Sequence, residues 1–94
     1  MPLIFKWDKH KAASNAVNHG VSFDEAKTVF DDSFAYTFDD DEHSEQEQRE
    51  IIIGHSNRNR LIVVSFTERG TDVIRIISAR RATGRERRDY EENA

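Results

Sequence analysis

Residues 49–79, REIIIGHSNRNRLIVVSFTERGTDVIRIISA, decide the fold. Three apolar runs, at 49–55, 60–67 and 72–79, are rich in isoleucine, valine and phenylalanine, whose branched or flat side chains suit a pleated sheet better than a helix. The links between them, Ser56-Asn57-Arg58-Asn59 and Glu68-Arg69-Gly70-Thr71, are short and carry asparagine or glycine, so both read as hairpin turns. Consecutive hairpins make an antiparallel meander.

Upstream, LIFKW (3–7) reads as a short strand. Asp8 then caps a helix that runs through Asn18, with Ala12, Ala13, Ala16 and Val17 as its apolar stripe and Gly20 as its stop. Ser22-Phe23-Asp24-Glu25 has capping-box spacing and opens a second helix, with Phe23, Ala26, Val29 and Phe30 inward and Asp31-Asp32 at its end. From Phe34 the period changes to two, with Phe34, Tyr36 and Phe38 on one face, before the polar stretch 39–50. Downstream, Thr83-Gly84-Arg85-Glu86 repeats the capping-box spacing and opens a last helix to Tyr90. The expected class is α+β: an antiparallel sheet of about four strands plus a short N-terminal strand, two N-terminal helices on one face, and a C-terminal helix at an edge or on the other face. A chain of 94 residues is expected to form a single domain over 1–94, being too short for two cores.

Charge divides the molecule. The net charge is −4, yet residues 57–88 hold nine arginines against Glu68, Asp72 and Glu86, while residues 22–50 hold eleven acids against Lys27 and Arg49. Guanidinium forks bind phosphate in a planar, bidentate way, so the arginine-rich half points to phosphate or to an acidic partner. There is no cysteine, so disulfides and thiolate metal sites are excluded. No apolar run approaches the length of a membrane span and MPLIFKWDKH does not resemble a secretory leader, which makes the cytoplasm the expected location.

Six arginines, Arg75, Arg80, Arg81, Arg85, Arg87 and Arg88, fall within 75–91 around the end of the last strand. Alternation places Arg75 on a sheet face with Val73 and Ile77, where a charge needs solvent or a partner. The three helical arginines have acidic neighbours at helical spacing and also read as a solvated face. Arginine stabilises charge on a phosphate but is a poor general acid or base, so another group must move protons. Tyr90, Glu68, His55 and His19 are the nearby candidates, although His19 also suits a helix end and His55 a strand end. The acidic run Asp39–His43 lacks the glycine and distal glutamate of a calcium loop, and no glycine-rich phosphate loop, Gly-x-Ser-x-Gly or His-Glu-x-x-His occurs.

The segments FKWDKHKAASNAVNHGVSFDEA (5–26), VFDD (29–32) and RIISARRATGRERRDYE (75–91) resemble the BrnT family, bacterial toxins of type II toxin–antitoxin modules. The resemblance spans nearly the whole chain and includes Trp7, Asp8, Lys11, Asn15, His19 and Gly20, the pair Arg80-Arg81 and the terminal Tyr90. It implies a RelE-like fold and a ribonuclease that arrests translation. It also implies a BrnA-type antitoxin as partner in a hetero-oligomer, whose DNA-binding domain alone reaches operator DNA. The resulting expectation is an endoribonuclease that needs neither metal nor other cofactor, in which the 2′-hydroxyl of RNA attacks the adjacent phosphate. Arg80 and Arg81 would neutralise the phosphoryl charge, and Tyr90, Glu68 or His19 would handle protons. Arg60, Arg75, Lys11, Arg85 and Arg88 would contact RNA. The rival reading is a non-catalytic binding module, or a degenerate toxin, that docks an acidic or nucleic-acid partner through the arginine-rich corner.

Overall fold

The computed structural model describes residues 2–44 and 47–93. One five-stranded sheet has the order β1-β5-β4-β3-β2, from β1 (Ile4–Lys6), β2 (Tyr36–Asp39), β3 (Glu50–His55), β4 (Leu61–Arg69) and β5 (Val73–Arg81). The hairpins β2-β3, β3-β4 and β4-β5 are antiparallel, and β1 lies parallel to β5. Asn59 takes φ 59° in the β3–β4 turn, a left-handed conformation that asparagine tolerates through its short polar side chain.

Strands β1 and β2 are opposite edges, so the chain between them must cross the sheet. It does so as α1 (Lys9–His19), α2 (Phe23–Thr28) and a 3₁₀ turn at Val29–Asp31. Val21, Phe23, Ala26 and Val29 pack on the inner face of the sheet, against Ile52, Ile62, Val64, Phe66, Ile74, Ile76 and Ala79. The last helix, α3 (Gly84–Asn93), packs on the outer face instead, where Tyr90 joins Ile53, Leu61 and Val63.

The caps follow the sequence closely. Asp8 accepts from the amides of His10 and Lys11, and Gly20 closes α1 at φ 68°. Thr83 and Glu86 complete a reciprocal box: the Glu86 amide donates to Thr83 Oγ1 at 3.2 Å and the Thr83 amide to Glu86 Oε1 at 2.9 Å. At Ser22 only half of the box forms, because the Glu25 side chain turns into the protein.

The expected stripe of α1 is corrected by the structure. Val17 is 85% exposed and Ala13 and Ala16 are exposed, whereas Asn15 is buried. Beyond its three pairs with β1, strand β5 has a free edge, and the Asn15 side-chain amide pairs with it in place of a strand. It accepts from the Ala79 N–H at 3.1 Å, donates to the Ala79 carbonyl at 2.8 Å, and donates to the Val21 carbonyl at 2.9 Å. A buried backbone group left unpaired costs about 1–3 kcal/mol. Asn15→Ala, which orphans three, is therefore expected to lower stability by about 2–3 kcal/mol in urea unfolding; a loss below about 0.5 kcal/mol, the size of an ordinary surface change, would refute this role.

A bulge sets which side chains of β5 face out. Ser65 pairs with Ser78 but Phe66 pairs with Ile76, so Ile77 has no opposite residue. The alternation slips by one there. Ile74, Ile76 and Ala79 all point inward, and Arg75 and Arg80 both point outward.

Candidate functional site

Helix α3 covers only one end of the outer face. On the remainder lie Lys6, Ser65, Arg69, Val73, Arg75, Ser78 and Arg80, with Arg49 just before β3. Positive charge thus collects on a sheet surface that helices leave open, and two cavities indent it.

The first, of about 230 Å³, is lined by Asp40, His43, Arg49, Ile51, Val63, Ser65, Ser78 and Arg80. Arg80 is oriented by Glu86: its two terminal nitrogens donate to the two carboxylate oxygens at 2.7 and 2.8 Å. These bonds hold the Glu86 carboxyl down at about 2, so the pair stays ionised across the physiological range. Arg49 is freer, its Nε being buried without a hydrogen-bond partner among the described residues. His43 stands on a 3₁₀ turn, Asp41–His43, and its Nδ1 lies 3.1 and 3.0 Å from the two oxygens of Asp40. A carboxylate only accepts, so Nδ1 carries a proton, and Nε2 is the ring nitrogen left unengaged by Asp40 on a side chain 61% exposed. The second cavity, of about 510 Å³, is lined by Lys6, Trp7, Asp8, Arg69, Val73 and Arg75.

The family described as "Ribonuclease toxin, BrnT, of type II toxin-antitoxin system" matches residues 7–86. The chain belongs to the BrnT family. A solved structure with this fold is that of the Brucella abortus ribonuclease toxin BrnT, determined at 1.1 Å; it has 27% sequence identity and a TM-score of 0.64, with 88% of this chain and 97% of that one covered. No curated protein matches. The α+β class expected from sequence is the observed one, with five strands, mostly antiparallel, and three α-helices among the described residues.

Among the residues singled out in this BrnT chain, the structure brings Arg75 and Arg80 to the open face and distributes the others. Arg81 pairs with Ile62, which points inward, so it faces away from that surface. Lys11 and His19 border a groove between α1 and the edge of β5, with His10, Ser14, Asn15, Asn18 and Ile77. Arg85 and Arg88 are exposed on α3. Glu68 lies on the inner side beside Glu50, whose carboxyl is pushed up to about 7 by burial and by the Glu68 and Asp39 carboxyls. An acid in that range suits proton transfer, but neighbouring carboxylates repel a phosphate.

Arg60 sits in an ion pair rather than on the open face. It donates twice to Glu25, including Nε to Oε2 at 2.9 Å, and once to the Gly20 carbonyl at 3.1 Å. Ser56 Oγ adds a bond to Glu25 Oε2 at 2.6 Å. The Arg60 bonds hold the buried Glu25 carboxyl below the usual range against the effect of burial.

Tyr90 is only 5% exposed, and its hydroxyl donates to Asp32 Oδ2 at 2.9 Å. With its one hydrogen committed, the hydroxyl oxygen accepts from His55 Nδ1 at 3.2 Å. Asp32 also takes the His55 amide at 2.7 Å and the Phe34 amide at 2.9 Å. Gly54 permits this close approach, since a Cβ there would stand 2.7 Å from that of Ala35 and 3.0 Å from Asp32 Oδ2. Burial, then the Asp32 bond, pushes the Tyr90 hydroxyl up to about 12.

Sequence reading assigned no site role to Lys6, Arg49, Arg69, Trp7 or Asp8, and His43 entered only with the acidic run 39–43, which fails as a calcium loop. A basic residue at the last position of a strand was the available signal for Lys6 and Arg69. For His43 the only signal was an aspartate three residues before it, which is commonplace.

Proposed function

We propose that the open outer face holds single-stranded RNA and that the cavity shared by Arg49, Arg80 and His43 cleaves it without a metal. The observation that carries this reading is the meeting of an Asp40-held histidine with two arginines in one cavity on a sheet surface that helices leave bare. His43 Nε2 takes the proton of the 2′-hydroxyl. Its oxygen bonds to phosphorus, the bond to the 5′-oxygen breaks, and water protonates that leaving oxygen. Arg49 neutralises charge growing on the phosphoryl oxygens, and Arg80, held by Glu86, offers its remaining N–H groups as fixed donors. Arg75 grips the strand further along. In this reading Tyr90 and Arg60 are structural anchors rather than a catalyst and an RNA contact.

The 94 residues act as one domain in the cytoplasm. The protein is inhibited by a BrnA-type antitoxin in a hetero-oligomer, and reaches operator DNA only through that partner. Among the described residues no helix is long and apolar enough to cross a membrane. The decisive experiment is incubation of the purified protein with single-stranded RNA and excess chelator. Fragments ending in 2′,3′-cyclic phosphate and 5′-hydroxyl are expected. A requirement for added magnesium would overturn the metal-free mechanism, and RNA binding with no cleavage under either condition would leave the non-catalytic module as the better account.

A further inference from the structure

The cavity around Trp7 lies outside the cleavage cavity and has no part in its chemistry. Its volume of about 510 Å³ falls within the range of roughly 300–1,000 Å³ typical of small-molecule sites. Lys6 and Arg75 are register partners on adjacent parallel strands, so their charges stand side by side. Arg69 enters from β4, opposite Val73, and is tied to Glu47 at 2.7 Å. Trp7 supplies an aromatic wall. The ring is half-buried and braced edge-on against Phe23, with centroids 5.8 Å apart and planes at 78°, so it is fixed before any ligand arrives. Asp8 uses Oδ1 to cap α1, and the carboxyl is held below its usual range first by the Lys11 amide and then by that of His10. It therefore stays ionised, an acceptor at the rim.

A rigid aromatic ring beside clustered cations is the combination that holds one unpaired base and its phosphate. An acidic peptide would use the cations but leave the ring unused, and a bare phosphate would fill a fraction of the volume. We propose that this cavity is a nucleotide subsite: it stacks one base of the RNA strand on Trp7 and grips the adjoining phosphate with Lys6 and Arg75, fixing the register in which the strand enters the cleavage cavity. From Arg75 to Arg80 is five steps along β5, about 16 Å, which a few nucleotides of extended RNA would span. The proposal rests on the reading of the outer face as an RNA surface.

Trp7 is the single tryptophan, so its fluorescence reports on the cavity directly. The test titrates the full chain with a 2′-O-methyl oligouridylate hexamer, which lacks the attacking hydroxyl and so binds without being cut. Saturable quenching is expected, weakened at least roughly tenfold in Lys6→Ala and in Arg75→Ala, in keeping with loss of a charge-assisted phosphate contact. In cleavage of ordinary RNA the same variants should lose on KM rather than kcat, since neither residue touches the reacting atoms. Three results would overturn the subsite: no quenching by the hexamer, equal quenching by polyglutamate, or affinity unchanged in both variants. Cleavage without quenching removes the subsite and leaves the proposed function standing, whereas quenching without cleavage keeps the subsite and removes the catalytic reading.

Discussion

Arg60→Ala is expected to destabilise the fold by about 3 kcal/mol or more, because it leaves the Glu25 carboxylate unpaired inside the protein. The Glu25 side chain is 4% exposed and that of Arg60 22%, so solvent screens the pair little and can replace the lost partner only in part. Arg60 also satisfies the Gly20 carbonyl and thereby ties the β3–β4 hairpin to the approach to α2. For a domain of this size the melting temperature should fall by roughly 10–20 °C. Arg58 is the control: it stands 3.9 Å from the same carboxylate but is 69% exposed, so Arg58→Ala should change stability by less than about 0.5 kcal/mol. Because the folded Glu25 carboxyl is depressed below 4.5, its contribution is complete above that pH and is lost on acidification through the lower folded value. The wild-type advantage over Arg60→Ala should therefore shrink as pH falls below about 4. Equal melting temperatures for wild type and Arg60→Ala at neutral pH would show that Arg60 is a surface residue free to meet RNA.

His43→Ala should lower kcat by about 10²–10⁴-fold, the contribution of a positioned general base. It should move the melting temperature little, since the side chain is 61% exposed and, among the described residues, bonds only to Asp40. Asp40→Asn should give a smaller loss, because an amide, with one acceptor oxygen in place of two, holds the ring less firmly. An activity of His43→Ala within about threefold of wild type would remove His43 from the chemistry. Attention would then turn to Glu50, whose carboxyl stands near 7 on the opposite face.

Most of the architecture was legible because it rests on short-range rules. The three long strands follow from β-branched runs broken by turn residues, and the caps at Asp8, Gly20, Ser22 and Thr83 fall where hydroxyl, carboxylate and glycine spacing put them. The helix α1 was less legible. Its stripe of small apolar residues faces outward, because what the free edge of β5 needs is a pair of hydrogen bonds that only the Asn15 amide supplies. Polarity counted along a helix contains no information about such an edge.

The site was legible in its charge and opaque in its geometry. Sequence by itself determined the α+β class, the order of elements, the family resemblance and the concentration of arginine near the C-terminal end. Tertiary structure alone decided which of those arginines share a face of the sheet. The bulge at Ile77 shifts the alternation of β5 so that Arg75 and Arg80 share the open face while Arg81 leaves it. Folding also draws Tyr90 and Arg60 into buried partnerships with Asp32 and Glu25, 58 and 35 residues away, and carries Arg49 and His43 from another part of the chain to the side of Arg80. The physical reason is range: capping and strand propensity act over a few residues, whereas the partner that satisfies a buried charge, or the bulge that turns a side chain to the other face, is set by strands that meet only once the chain has folded.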